Sequence, residues 1–259
     1  MHASWFRKPV YNVTSIIAIS TLLGSSILTI SNPYYWFVIL ILAILWTIFF
    51  LSASLVINSG VYLKSICCGP EEDRKIAITF DDGPDLNTSG ILEILAKYNA
   101  KASFFLIGEK AEKNWLLVQK IKNANHLVGN HTYNHKPYFP IMGVKKISKN
   151  IADTQEALQK ITGATPLYFR PPFGVTNPLI ANALKKFNLI VIGWSVRSFD
   201  TIIKDPEKVL ARITTRLRPG SIILLHDTTK NAIQILEGLL LYCEQQNLTP
   251  VSLDELIRR

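Results

Sequence analysis

Residues 9–63 contain no Asp, Glu, Lys, Arg or His, an uncharged run of 55 residues in a chain of 259. A helix needs roughly 20 apolar residues to cross a hydrocarbon core, so this run has room for two. Its second half, about residues 34–57, is the more apolar and opens with Tyr34, Tyr35 and Trp36, rings that favour the headgroup level. Its first half, about residues 11–30, is diluted by Thr14, Ser15, Ser20, Thr21, Ser25, Ser26 and Thr29, and Ser31-Asn32-Pro33 separates the two as a tight turn. Arg7-Lys8 ahead of an apolar stretch also suits a signal peptide. No clear small-residue cleavage pattern follows it, however, and a second apolar segment does. The expectation is a membrane region over residues 1–63 with two transmembrane helices, a linker at 64–74 and a folded domain at 75–259.

The cations give this region a direction. Arg7 and Lys8 precede the first segment, Lys64, Arg74 and Lys75 follow the second, and the turn between carries none. The positive-inside rule then puts both ends, and the domain, on the cytoplasmic side of the inner membrane. Three cysteines cannot all pair within one chain, and the adjacent Cys67-Cys68 makes a poor disulfide frame; it reads as a juxtamembrane thiol doublet open to lipidation. All charged side chains except Arg7 and Lys8 lie from Lys64 onward, 26 cations and 19 anions, which suits anionic lipid heads or acidic glycans as well as a plain solvated surface. A nucleic-acid partner is not expected.

From Lys75 on, short β-rich runs alternate with stretches of helical period. Strand-like runs fall at 75–80, 102–107, 127–129, 167–169, 189–192, 222–225 and 250–252. Helical ones fall at 89–98, 110–122, 144–161, 178–187, 206–217 and 232–243, and residues 253–257 close the chain. Alternation of this kind implies parallel βαβ units, so the domain is α/β, either an open doubly wound sheet or a barrel. In both, polar residues at the C-terminal ends of strands form the site.

Four strand ends carry reactive side chains: Asp81-Asp82, His131 with His135, Arg170, and His226-Asp227. Adjacent aspartates in a partly buried spot repel unless a cation or shared proton relieves them; taken alone, the pair equally suits a capped turn before Gly83-Pro84. His131 and His135 are four apart, so a single helical turn would set both imidazoles on one side, and a carboxylate would complete a three-ligand ion site. Thr132 stands where a metalloprotease would place its glutamate. His126 starts a strand without a partner and reads as a packing or surface histidine. Together the four strand ends describe a mononuclear metal hydrolase, with one aspartate and two histidines on the ion, the other aspartate as general base and His226 as general acid.

These motifs resemble, in order, those of the polysaccharide deacetylase family (NodB-homology domains, carbohydrate esterase family four), over about Lys75 to the C-terminus. Thr79-Phe80-Asp81-Asp82-Gly83-Pro84 is similar to the first motif, His131-Thr132-Tyr133-Asn134-His135 to the second, Arg170-Pro171-Pro172-Phe173-Gly174 to the third and Leu224-Leu225-His226 to the fifth. The resemblance implies a distorted (β/α) barrel. It implies Asp81 as base and His226 as acid, with Asp82, His131 and His135 on one divalent ion, zinc first and cobalt, manganese or nickel as alternatives. Arg170 would hold Asp81, Asp200 would orient His226, and Phe173 and Leu224 would line the substrate pocket. The fourth motif departs from the family's D-x-x-D-W: Arg197-Ser198-Phe199-Asp200-Thr201 keeps the second aspartate but replaces the first, and the tryptophan, by Arg197 and Thr201. The implied activity is hydrolysis of an N-acyl group on an amino sugar of a polysaccharide or lipid-linked glycan. The alternatives are a membrane-tethered glycan-binding protein without catalysis, and an O-acetyl esterase or deformylase on the same scaffold.

Overall fold

A computed structural model describes residues 34–257 together with Ser20 and Gly24. The first expected membrane segment, at about 11–30, otherwise lies outside the described residues. The second is a helix over Tyr34–Leu55, of which Trp36–Leu55 is long and apolar enough to cross a membrane and is almost wholly unburied. It is the one such helix among the described residues.

The domain is built on parallel strands β1 (Lys75–Gly83), β2 (Ala102–Leu106), β3 (Leu127–Asn130), β4 (Tyr168–Phe169), β5 (Ile190–Val191), β6 (Val196–Arg197), β7 (Ile222–His226) and β8 (Thr249–Val251). They run in the order β5-β4-β3-β2-β1-β7-β6, while β8 pairs with the first three residues of β1 before β2 begins. β1 shows why the sheet has two differently filled faces. Ile76, Ile78 and Phe80 point into an apolar layer with Ile91, Leu95, Leu236 and Leu239 of the covering helices. Ala77, Thr79 and Asp81 alternate to the inside of the curl. There Ala77 joins Phe105, Ile192, Ile222 and Leu256 in a second cluster that fills the N-terminal end of the barrel. The polar residues are thereby left to the C-terminal end.

The barrel does not close strand to strand. The edge strands β5 and β6 do not pair with each other; residues 66–69 instead link the end of β5 to the start of β7: Ile66 pairs with Ile192, Cys68 with Ser221, and Gly69 N–H donates to the Gly220 carbonyl. The stretch expected as a linker is thus part of the fold, with Ile66 buried in the inner cluster. The helix expected over 110–122 is two, Gly108–Lys113 and Trp115–Asn123, broken at Asn114, whose side-chain amide donates back to the Lys110 carbonyl. His126 is buried, accepts the Ala102 N–H at Nδ1, and is pushed by burial down to about 4, which selects packing over the surface role the sequence also allowed.

Candidate active site

In an unbroken strand, adjacent side chains face opposite ways, so only one of Asp81 and Asp82 would reach the inside. A bulge in the β1–β2 pairing between Asp81 and Gly83, with Asp82 at φ 71°, removes that restriction. Asp81 keeps the inward alternation, and Asp82 turns to the same end of the barrel. Gly83 is needed there because a Cβ would run into the Asp227 carboxylate.

The His131–His135 segment is not the helical turn that its spacing suggests. It is an irregular loop with positive φ at Thr132 (67°) and His135 (45°). Side-chain amides take the backbone donors that a helix would use: Asn130 Oδ1 accepts from Thr132 N–H at 2.9 Å and Asn150 Oδ1 from Tyr133 N–H at 2.8 Å. The loop still delivers both rings to one place, with centroids 4.8 Å apart. His131 Nδ1 lies 2.8 Å from the Arg170 carbonyl, an acceptor, which fixes the proton on Nδ1 and leaves Nε2 bare.

That bare nitrogen faces Asp82. Asp82 Oδ1 is buried without a hydrogen bond, and the Nε2 atoms of His131 and His135 both stand 3.4 Å from it. One donor atom from each of these residues lies within 4.8 Å of the others. A tetrahedral ion with bonds of roughly 2.0–2.1 Å holds its ligands about 3.4 Å apart, so the donor set fits a divalent cation. Burial pushes His135 down to about 4, which keeps it neutral and able to ligate.

Arg170, just past β4, is fully buried and spends its guanidinium on four acceptors. Nη1 donates to Asp81 Oδ1 and Thr79 Oγ1, both at 2.7 Å, Nη2 to the Gly193 carbonyl at 3.0 Å and Nε to the Ile192 carbonyl at 3.3 Å. Its guanidinium carbon also sits 4.1 Å from the centre of the Phe105 ring. Asp81 is thereby fixed with its second oxygen toward the cluster, 3.8 Å from His131 Nε2.

On the other side of Asp81 its register partner across β1–β7 is His226. Asp200 grips that histidine twice, accepting from the His226 backbone N–H at Oδ2 and lying 2.8 Å from Nδ1 at Oδ1. Burial alone would pull the imidazole down, but Asp200 outweighs it and the pKa is raised. Leu224, buried and two residues earlier, shares the His226 face of β7. Phe173, at φ 61° and about half exposed, leans its ring to 4.8 Å from that of His135. Thr201 is exposed.

The structure therefore gathers Asp81, Asp82, His131, His135, Arg170, Asp200, Phe173, Leu224 and His226 around one end of the barrel. Sequence reasoning gave no role to Thr79, Asn130, Asn150 or Trp194. Thr79, a lone hydroxyl in the apolar run of β1, was the one visible signal: it bonds Arg170 and donates to the Ile223 carbonyl. Trp194, 5.7 Å from the Arg170 guanidinium, packs where a Cβ on Gly174 would collide with it.

Fold and donor set define a class: curled parallel α/β barrels that present two histidines and a carboxylate at their strand ends. The family model for polysaccharide deacetylase matches residues 69–192. A peptidoglycan-N-acetylglucosamine deacetylase of Bacillus cereus is 37% identical over 170 residues, 64% of this chain, and the chain spans 60% of that relative's length. A second Bacillus cereus protein of the same description is 32% identical over 195 residues, covering 73% of this chain and 91% of the relative. Among solved structures, a peptidoglycan N-acetylglucosamine deacetylase in complex with an N-hydroxybenzamide derivative superposes with a TM-score of 0.68 at 31% identity, covering 74% of this chain and 91% of that one. A pseudoenzyme of the same esterase family from Bacillus anthracis superposes equally well, TM-score 0.68 at 25% identity, covering 75% and 69%. The chain belongs to the polysaccharide deacetylase family.

Proposed function

We propose that this protein hydrolyses the N-acetyl, or another N-acyl, group of an amino sugar in a glycan. The observation that carries the reading is the pairing of Asp81 with His226 across β1 and β7, directly beside the Asp82–His131–His135 cluster. A divalent ion held by those three residues, zinc first, would supply Lewis acidity toward the amide carbonyl and toward water. Asp81 takes the proton of the attacking water, with Arg170 holding its carboxylate aimed. A backbone N–H near Phe173 is the protein's own donor to the developing oxyanion. His226, kept protonated and oriented by Asp200, passes its proton to the departing amine. Leu224 and Phe173 bound the space for the acyl group.

The names of the relatives support peptidoglycan-type amino sugars as the substrate class. The domain is read as the 75–259 unit, completed at its edge by residues 66–69, that follows a two-helix membrane hairpin. Its placement against the bilayer is supported by the Thr176 N–H, which donates to the Ser54 carbonyl near the end of the apolar helix. The cations at both borders of the uncharged run support the cytoplasmic side, where a lipid-linked N-acylated sugar is the accessible form. The test is mass spectrometry of a chitin tetramer and of a muramyl oligosaccharide after incubation with the zinc-loaded full chain. Acetamido groups become free amines on this reading, and unchanged sugars with metal bound would refute it. Fusing a reporter after Arg259 reads the side of the membrane; an external reporter would make wall polymer the substrate in place of a lipid-linked sugar. The pseudoenzyme among the solved relatives makes glycan binding without catalysis the second reading, and the same assay separates the two.

A further inference from the structure

The family's fourth motif is broken at Arg197, and the structure shows what that arginine does instead. Arg197 ends the edge strand β6, opposite Leu224 of β7, so its partner on β7 lies two residues before His226. By strand spacing its backbone is about 8 Å from that of His226. Val196 points to the helix layer, which turns Arg197 to the inner side of the curl, where its side chain is exposed. The guanidinium is held between two aromatic rings, 5.7 Å from the centre of Trp194 and 4.7 Å from that of Phe199. A second guanidinium, Arg212, lies 4.4 Å from the same Phe199 ring, and its Nε donates to the Arg197 carbonyl.

Phe199 thus carries two arginines, held by a backbone at φ 59° whose carbonyl accepts the N–H groups of Ile202 and Ile203. Among the described residues, no carboxylate lies within 4.0 Å of either guanidinium. Ring contacts fix where the charges sit without neutralising them, since the aromatic face is only a quadrupole. Two like charges anchored on one ring and unpaired are relieved by an anion, and the planar fork of arginine matches carboxylate and phosphate oxygens. We infer that Arg197 and Arg212 form an oxyanion subsite beside the cleft, recognising a carboxylate or phosphate carried by the glycan near the N-acyl group that reacts. This deepens the deacetylase reading, and its kinetic arm rests on that reading; its binding arm does not.

The test uses the full chain in detergent, loaded with zinc. Three probes are titrated calorimetrically: a neutral chitin tetramer, a muramyl oligosaccharide of equal length bearing lactyl carboxylates, and a short-prenyl diphosphate-linked N-acetylglucosamine. At least one anionic probe is expected to bind 10-fold or more tighter than the neutral one, with a preference that shrinks as salt is raised. Which of the two is preferred tells carboxylate from phosphate. In Arg197→Gln and in Arg212→Gln the anionic-to-neutral ratio falls toward one, and Arg197→Lys restores part of it. In turnover, Arg197→Gln raises KM for the preferred anionic substrate more than it lowers kcat. Equal affinity for all three probes, or a preference that survives in the Arg197→Gln/Arg212→Gln double variant, overturns the subsite. Failure of every probe to release an acyl group overturns the deacetylase reading instead, while the binding ratios still decide the subsite.

Discussion

On the β1–β3 side of the cleft, side chains are aimed by backbone that few sequences can follow: a bulge at Asp82, and left-handed residues at Thr132 and His135. On the β6–β7 side the backbone at His226 is regular strand, and aim comes from a short hydrogen-bond chain, Ser198 to Asp200 to His226. Ion ligation demands several donor atoms within a few tenths of an ångström, which strained backbone can hold and a flexible side chain cannot. Proton delivery and substrate recognition need one oriented group and a wall, which side chains can supply in more than one way. The β6–β7 side is accordingly where the expected fourth motif is not kept, at Arg197 and Thr201.

The largest expected effect strikes the first side. His131→Ala should lose stoichiometric metal and all measurable turnover; metal analysis of the purified variant checks it, and a metal-replete, active protein would refute the ligand assignment. Asp81→Asn comes next, with metal retained and kcat lowered about 10²–10⁴-fold, the range for removing a general base. On the second side Asp200→Asn should cost about 10–100-fold and change the pH profile. His226 acts protonated and its pKa is raised, so wild-type activity extends above the ordinary imidazole value before it falls. Without the Asp200 charge that alkaline limb moves to lower pH; a limb left in place would show that His226 is not the acid. By linkage, the same pair stabilises the fold in full below the ordinary imidazole pKa, and this contribution is lost as pH rises through the raised one. Smallest is Thr79→Val, which removes one of the four acceptors of Arg170 and should lower kcat/KM by up to about 10-fold, one charge-assisted hydrogen bond.

The alternation of elements and the four reactive strand ends were legible because each is local: period, apolar runs and polar residues at their ends. The inward set Ala77, Thr79 and Asp81 follows from β1's period of two. The bulge that brings Asp82 round does not, since it depends on pairing with β2. Four-residue spacing suggested a helical turn for His131 and His135, and lost to Asn130 and Asn150, whose amides come from the end of β3 and from a helix later in the chain. β6 was missed because two residues carry no period. The closure of the barrel by residues 66–69 was missed because Gly69-Pro70 and the charges after it read as a linker, while Ile66 finds its partner at Ile192. Long-range pairing decided the bulge at Asp82 and the closure by residues 66–69.

The most direct measurement is acetate release from a chitin tetramer and a muramyl oligosaccharide by the zinc-loaded wild type and Asp81→Asn, with metal content determined on the same samples. One bound ion in both proteins and acetate from the wild type alone is the predicted result. Equal release by the two proteins, or none from a metal-replete wild type on either sugar, would contradict the account.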